Sequence, residues 1–167
     1  MLVLGPWIVY RGSSIDLRYT ILENLRTLSF RLSALSLFLG MEKRIITTPD
    51  APEPIGPYNQ AVLAGNLLFI SGQVAINPKN GAVEATDIFE ETHQVMHNLR
   101  AVLHAAGADF KNVVKTTIFL TDMALFTSVN EVYGKYFNGE FPARETVAVR
   151  GLPKNVNVEI SMIAALS

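Results

Sequence analysis

Between Asp87 and Gly107 the residues Ile88, Thr92, Val95, Met96, Leu99, Val102, Leu103 and Ala106 recur every three or four positions, which is the period of one face of an α-helix. A stripe that broad has to be buried against another element. Asp87 stands at the N-cap position with Glu90 three residues on, and Gly107 follows the last turn, so a helix is expected over Asp87–Ala106.

The segments around that helix carry strand signals. Glu42 to Thr48 reads as a short strand, Gln60 to Ala64 and Leu67 to Ile76 flank a Gly65-Asn66 hairpin turn, and Val113 to Leu120 is rich in β-branched residues. Within the third run, Ser71-Gly72-Gln73 is a polar interruption whose glycine marks a bulge or the close approach of a ligand or backbone. A second amphipathic helix is expected over Met123–Asn138, with Phe126, Val129, Tyr133, Tyr136 and Phe137 inward. Three strands, a helix, a strand, a helix and two strands predict an α+β two-layer sandwich, a mixed sheet with both helices on one face. The other face is then bare and apolar, which predicts a homo-oligomer.

The 167 residues are 49% hydrophobic and 17% charged, enough for one domain with a real core. The net charge of -1 offers no electrostatic footprint for nucleic acid or an anionic membrane. There is no cysteine, so disulfides, thiolate metal sites and a cysteine nucleophile are excluded. Residues 1–40 differ from the remainder: four arginines, no lysine, two acids and many Leu and Ser. They read as an N-terminal extension without fixed structure, either upstream in-frame translation or an organelle transit peptide. Residues 41–167 read as the functional domain, with 10 basic and 13 acidic residues. The expected compartment is the cytoplasm, or an organelle if the extension is a genuine transit peptide.

Several chemistries find no support. His93, His97 and His104 all fall on the long helix, on the side opposite its apolar stripe, and read as solvent-facing rather than as metal ligands. Neither a phosphate-binding glycine loop nor a GxSxG elbow occurs. No metal and no cofactor is expected.

One pair of charges stands out in Phe141–Ile160, read as two alternating strands joined by a Gly-Leu-Pro turn. Arg144, Thr146 and Ala148 share one face of the first strand; Asn157, Glu159 and Ser161 share the polar face of the second. Arg144 and Glu159 are open to two readings. They could form a structural salt bridge between adjacent strands, or Arg144 could be a solvated edge residue. Alternatively the guanidinium holds a small carboxylate while the acid handles a water. Asn130, beside the stripe of the second helix, and Tyr58, in a loop with prolines at 49, 52, 54 and 57, read equally as surface residues or ligand contacts.

The motifs IGPYNQAV (Ile55–Val62), ISGQ (Ile70–Gln73), NEVY (Asn130–Tyr133), FPAR (Phe141–Arg144) and LPKNVNVEI (Leu152–Ile160) together resemble the RidA/YjgF family of enamine/imine deaminases. The resemblance spans Met41 to Ser167. It implies a chorismate-mutase-like fold, a homotrimer with ligand clefts between subunits, and a role in metabolite damage control. The implied reaction is cofactor-free hydrolysis of 2-aminoacrylate and related 2-imino acids to 2-keto acids and ammonia. By the same resemblance Arg144 clamps the substrate carboxylate and Glu159 positions the attacking water, while Tyr58, Ser71, Asn130 and Thr146 line the cleft. Thr146 stands where the family often has cysteine, which removes thiol-based regulation but leaves a backbone contact intact. Two other readings stay open, a non-catalytic trimeric ligand-binding or chaperone-like regulatory module and an endoribonuclease.

Overall fold

The structure is a computed structural model that describes residues 42–166. The reading of residues 1–40 lies outside the described residues. A six-stranded mixed sheet has the order β1-β2-β3-β6-β4-β5. Its strands are β1 (Lys43–Ile46), β2 (Ala61–Ala64), β3 (Leu67–Gln73), β4 (Val113–Leu120), β5 (Ala143–Ala148) and β6 (Val158–Ala165). All pairings are antiparallel except β4 with β5, which is parallel. The helices are α1 (Ile88–Ala105) and α2 (Phe126–Gly134).

The helical stripe is buried as its period predicts. Val95, Met96, Leu99, Val102 and Leu103 of α1 join Leu68, Ile118, Leu120, Val158, Ile160 and Met162 of the sheet in one core cluster. Each fully buried aliphatic side chain contributes about 1.5–3 kcal/mol. Asp87 caps α1 by accepting from Phe89 N and Glu90 N. Glu90 reaches one residue further back than a capping box requires, accepting from the backbone and hydroxyl of Thr86 at 2.9 and 2.8 Å.

Three expectations are corrected. The helix expected over Met123–Asn138 is an α-helix only from Phe126 to Gly134, preceded by a short 3-10 turn at Met123–Leu125. Beyond Gly134 the chain turns so that Tyr136 and Phe137 both pack edge-on against Phe110, ring centroids 5.4 Å apart in each pair; aromatic packing outweighs helix continuation there. The third strand stops at Gln73 instead of Ile76: its register with β6 shifts between Ile70 and Gln73, and beyond Gln73 the carbonyls of Val74 and Ile76 accept from the Asn98 side chain.

The third correction bears on function: β5 and β6 are not a hairpin, because β4 lies between them. The Gly-Leu-Pro stretch carries the chain over the end of β4, where Val149 N donates to Leu120 O and Thr121 N donates to Asn157 O. Lys154 and Asn155 adopt left-handed backbone conformations within this connection.

Candidate active site

Register partners across a sheet share a face, which decides where the charged pair goes. Arg144 lies opposite Thr116, and Thr116 opposite Met162; both partners are buried on the helical side. Glu159 lies opposite Phe119, and Phe119 opposite Val147, on the side no helix covers. Arg144 and Glu159 therefore project from opposite faces of one sheet, on strands separated by β4. No ion pair between them forms among the described residues. The structural salt bridge between adjacent strands is thereby overturned within the chain.

Glu159 faces a cavity of about 360 Å3 that is also lined by Tyr58, Ser71, Gly72, Ile76 and Pro153. Its carboxylate accepts no hydrogen bond among the described residues, and its half-burial raises its pKa above the ordinary Glu value. The bulge at Ser71-Gly72 makes room for it. A Cβ added at Gly72 would overlap Glu159 Oε1 and stand 2.7 Å from Cδ, so the close approach marked by this glycine is to the acid itself.

The rest of this cavity's wall is held by polar staples. Ser71 Oγ donates to Asn59 O at 2.7 Å, and Tyr58 Oη accepts from Ile55 N at 3.3 Å. Gln60, only 2% exposed, ties the proline loop to β2: its side-chain oxygen accepts from Thr48 N, and its amide nitrogen donates to the carbonyls of Thr48, Ala51 and Pro52.

A second cavity, of about 450 Å3, is lined by Asn130, Tyr133, Phe141, Pro142 and Arg144. Arg144 Nη1 donates to Asn130 Oδ1 at 2.6 Å. Its Cζ sits 5.2 Å from the Tyr133 ring centroid and 5.7 Å from that of Phe126, within cation-π range. Tyr133 is itself fixed by donating to Thr116 Oγ1 at 3.1 Å. Three α2 residues at helical spacing thus hold an exposed edge-strand guanidinium ready for an anion. The spacing of Phe126, Asn130 and Tyr133 was legible; that they would meet Arg144 required the parallel β4–β5 pairing.

Five of the six candidate residues thus fall into two groups. Tyr58, Ser71 and Glu159 share the first cavity, and Asn130 and Arg144 the second. Thr146 lies opposite Ile118 and lines neither; its buried hydroxyl has no hydrogen-bond partner among the described residues.

His93 departs from the solvent-facing expectation. It is half-buried, with Nδ1 2.8 Å from Tyr136 Oη. Burial lowers the pKa of His97, with further depression from Arg100 and His93. No group of three or more His, Asp or Glu side chains among the described residues is placed to hold a metal, and no described helix is long and apolar enough to cross a membrane.

Comparison with known proteins agrees with this architecture. The sequence model of the family described as Endoribonuclease L-PSP matches residues 48–166. The chain is 45% identical over 122 residues to the human protein named 2-iminobutanoate/2-iminopropanoate deaminase, covering 73% of this chain and 89% of that one. It is 44% identical over 127 residues to the Arabidopsis thaliana protein named Reactive Intermediate Deaminase A, chloroplastic, covering 76% and 68%. Among solved structures it superposes on E. coli TdcF with bound serine at a TM-score of 0.71 and 38% identity, over 74% of this chain and 99% of that one. The chain belongs to the Endoribonuclease L-PSP family, whose members are also called RidA/YjgF proteins.

Proposed function

We propose that this protein is a cofactor-free 2-iminobutanoate/2-iminopropanoate deaminase, working as a homotrimer whose sites are completed between subunits. The observation that carries the reading is the division of the site. One chain presents an acid that has no hydrogen-bond partner among the described residues in a cavity on one face of the sheet, and a held arginine on the other. Each is half of what a carboxylate-bearing electrophile needs, and two copies in rotation supply both halves at one boundary. The uncovered sheet face supports self-association, since Phe69 and Val147 are 44% and 43% exposed there.

In this reading Arg144 takes the substrate carboxylate as a bidentate ion pair, and Asn130 fixes the guanidinium. Tyr58 and Ser71 shape the pocket wall, and the backbone at Thr146 supplies a contact. Glu159 handles the water. As the water oxygen bonds to the imine carbon and the C=N π bond opens onto nitrogen, Glu159 takes a proton from the water and passes it to that nitrogen. It then takes the hydroxyl proton of the carbinolamine and returns it to nitrogen as the C–N bond breaks and the C=O bond forms, which regenerates the carboxylate. The products are a 2-keto acid and ammonia, so one imine and one water are consumed with no oxidant or reductant. An imine is already electrophilic, so positioning, a charge clamp and a proton shuttle suffice. Burial raises the pKa of Glu159, which makes its carboxylate a stronger base toward the water than an exposed Glu.

A coupled assay tests the reaction: a threonine dehydratase supplies 2-iminobutanoate, and the release of 2-oxobutanoate is followed with an imine trap present. Faster release on adding the protein is expected. Unchanged release favours the ligand-binding regulatory module. We place the protein in the cytoplasm, with an organelle as the alternative; the intact mass of the native protein, which reveals whether residues 1–40 are retained, separates the two.

A further inference from the structure

We propose that Glu91 is a positioning residue for the reaction, acting through the backbone of β6 on Glu159; this rests on the reading of Glu159 as the proton-handling group. Glu91 lies in the first turn of α1 and is 5% exposed. Carboxylates are almost never buried so deeply unless they are fully engaged. Its Oε1 accepts from the backbone N–H groups of Asn157 and Val158, and its Oε2 from the Asn157 side-chain amide at 3.0 Å. Those are the two residues immediately before Glu159.

The need for such a clamp follows from the topology. β6 begins at Val158, just after the connection that crosses the end of β4. In that connection Lys154 and Asn155 have φ of 60° and 56°, so the ladder with β4 is joined only at Asn157 O and Val158, and the N–H groups of those two residues go to Glu91. Glu91 supplies the missing acceptors from a rigid helix, two of them charge-assisted bonds to consecutive amides. Two turns further along α1, Asn98 Nδ2 donates to the carbonyls of Val74 and Ile76 at 3.0 Å each, the segment that leaves the Gly72 bulge and lines the Glu159 cavity. One helix thus holds both backbone segments beside Glu159. Glu91 touches neither cavity, so its effect on chemistry runs only through the placement of the acid. A displacement of about 1 Å there is enough to cost roughly 100-fold in rate.

The test compares Glu91→Gln, Glu159→Gln and Val95→Ala in the imine-hydrolysis assay, with kcat and KM expressed per folded protein. Glu91→Gln is expected to lower kcat roughly 10- to 100-fold with KM within about twofold, because the carboxylate clamp at Arg144 is untouched. Val95→Ala, a core truncation on the same helix, is expected to lower thermal stability at wild-type kcat. If Glu159→Gln loses turnover while Glu91→Gln keeps wild-type kcat, the positioning role is overturned and the reading of Glu159 stands. Full turnover in Glu159→Gln overturns that reading and the proposal with it. Should Glu91→Gln not fold, Glu91→Asp decides, because it keeps the charge but shortens its reach to the Asn157 and Val158 amides: kcat reduced at unchanged KM supports the role, and wild-type kcat overturns it.

Discussion

Gly72 and Glu159 occupy space that only a glycine and a long acid can share, since a Cβ at position 72 would stand 2.7 Å from Glu159 Cδ. The backbone at Gly72 does not itself need a glycine, because its φ lies outside the left-handed region. Gly72→Ala should therefore fold with a melting temperature near that of the wild type, the small entropic gain of alanine offsetting the crowding. Its kcat should fall about 100-fold as the carboxylate is pushed aside. Steady-state kinetics beside a thermal melt check this; loss of stability at full kcat would contradict it.

Burial raises the pKa of Glu159, and the sign of the consequence can be worked out. The acid must be ionised to take a proton from water, so activity should fall with decreasing pH through a midpoint above the ordinary Glu value of about 4.3. The folded chain also binds this proton more tightly than the unfolded chain. The associated stability is full below the unfolded pKa and is lost as pH rises through the raised, folded one. Glu159→Gln should flatten that dependence and lower kcat by about 100-fold or more. A kcat/KM profile and urea midpoints measured across pH test both statements.

Arg144 is held without being buried. Its exposure and its bond to Asn130 predict that Arg144→Ala leaves stability within about 0.5 kcal/mol of wild type while lowering kcat/KM about 1000-fold or more. Asn130→Ala and Phe126→Leu should do less, each about 10-fold and mainly in KM, because the arginine remains but wanders. Isothermal titration with a 2-keto acid, together with the kinetics, separates loss of the clamp from loss of its supports.

Much of this molecule was legible in the chain because local period and burial coincide. The α1 stripe, the β2–β3 hairpin and the alternating phases of β6 follow from side chains that can satisfy their surroundings in only one way. What could not be read was non-local. The spacing of Arg144 and Glu159 resembles a hairpin; the insertion of β4 separates their strands, and the registers of its two pairings put the residues on opposite faces. Glu91 reads as an ordinary polar residue of a helix's first turn, because its partners are 66 and 67 residues away. Gly72 was visible as a close approach, but the group that approaches it comes from a distant strand.

The bare sheet face carries its own prediction. Phe69→Glu and Val147→Glu place charges where exposed apolar side chains stand, and in our reading those side chains meet a second copy. Light scattering should show each variant shifted from trimer toward monomer, with activity lost in parallel. A wild-type protein that runs as a monomer at all concentrations would remove the inter-subunit site.

The central claim is that Arg144 of one subunit works with Glu159 of a neighbour, and subunit mixing tests it most directly. Arg144→Ala and Glu159→Gln are each expected to be inactive; unfolded together in equal amounts and reassembled, they form mixed trimers. If the site spans the boundary, random assembly leaves about a quarter of all sites with both residues intact, and about a quarter of wild-type activity returns. If both residues serve a site within one chain, every chain carries a lesion and the mixture stays inactive, which would contradict the account.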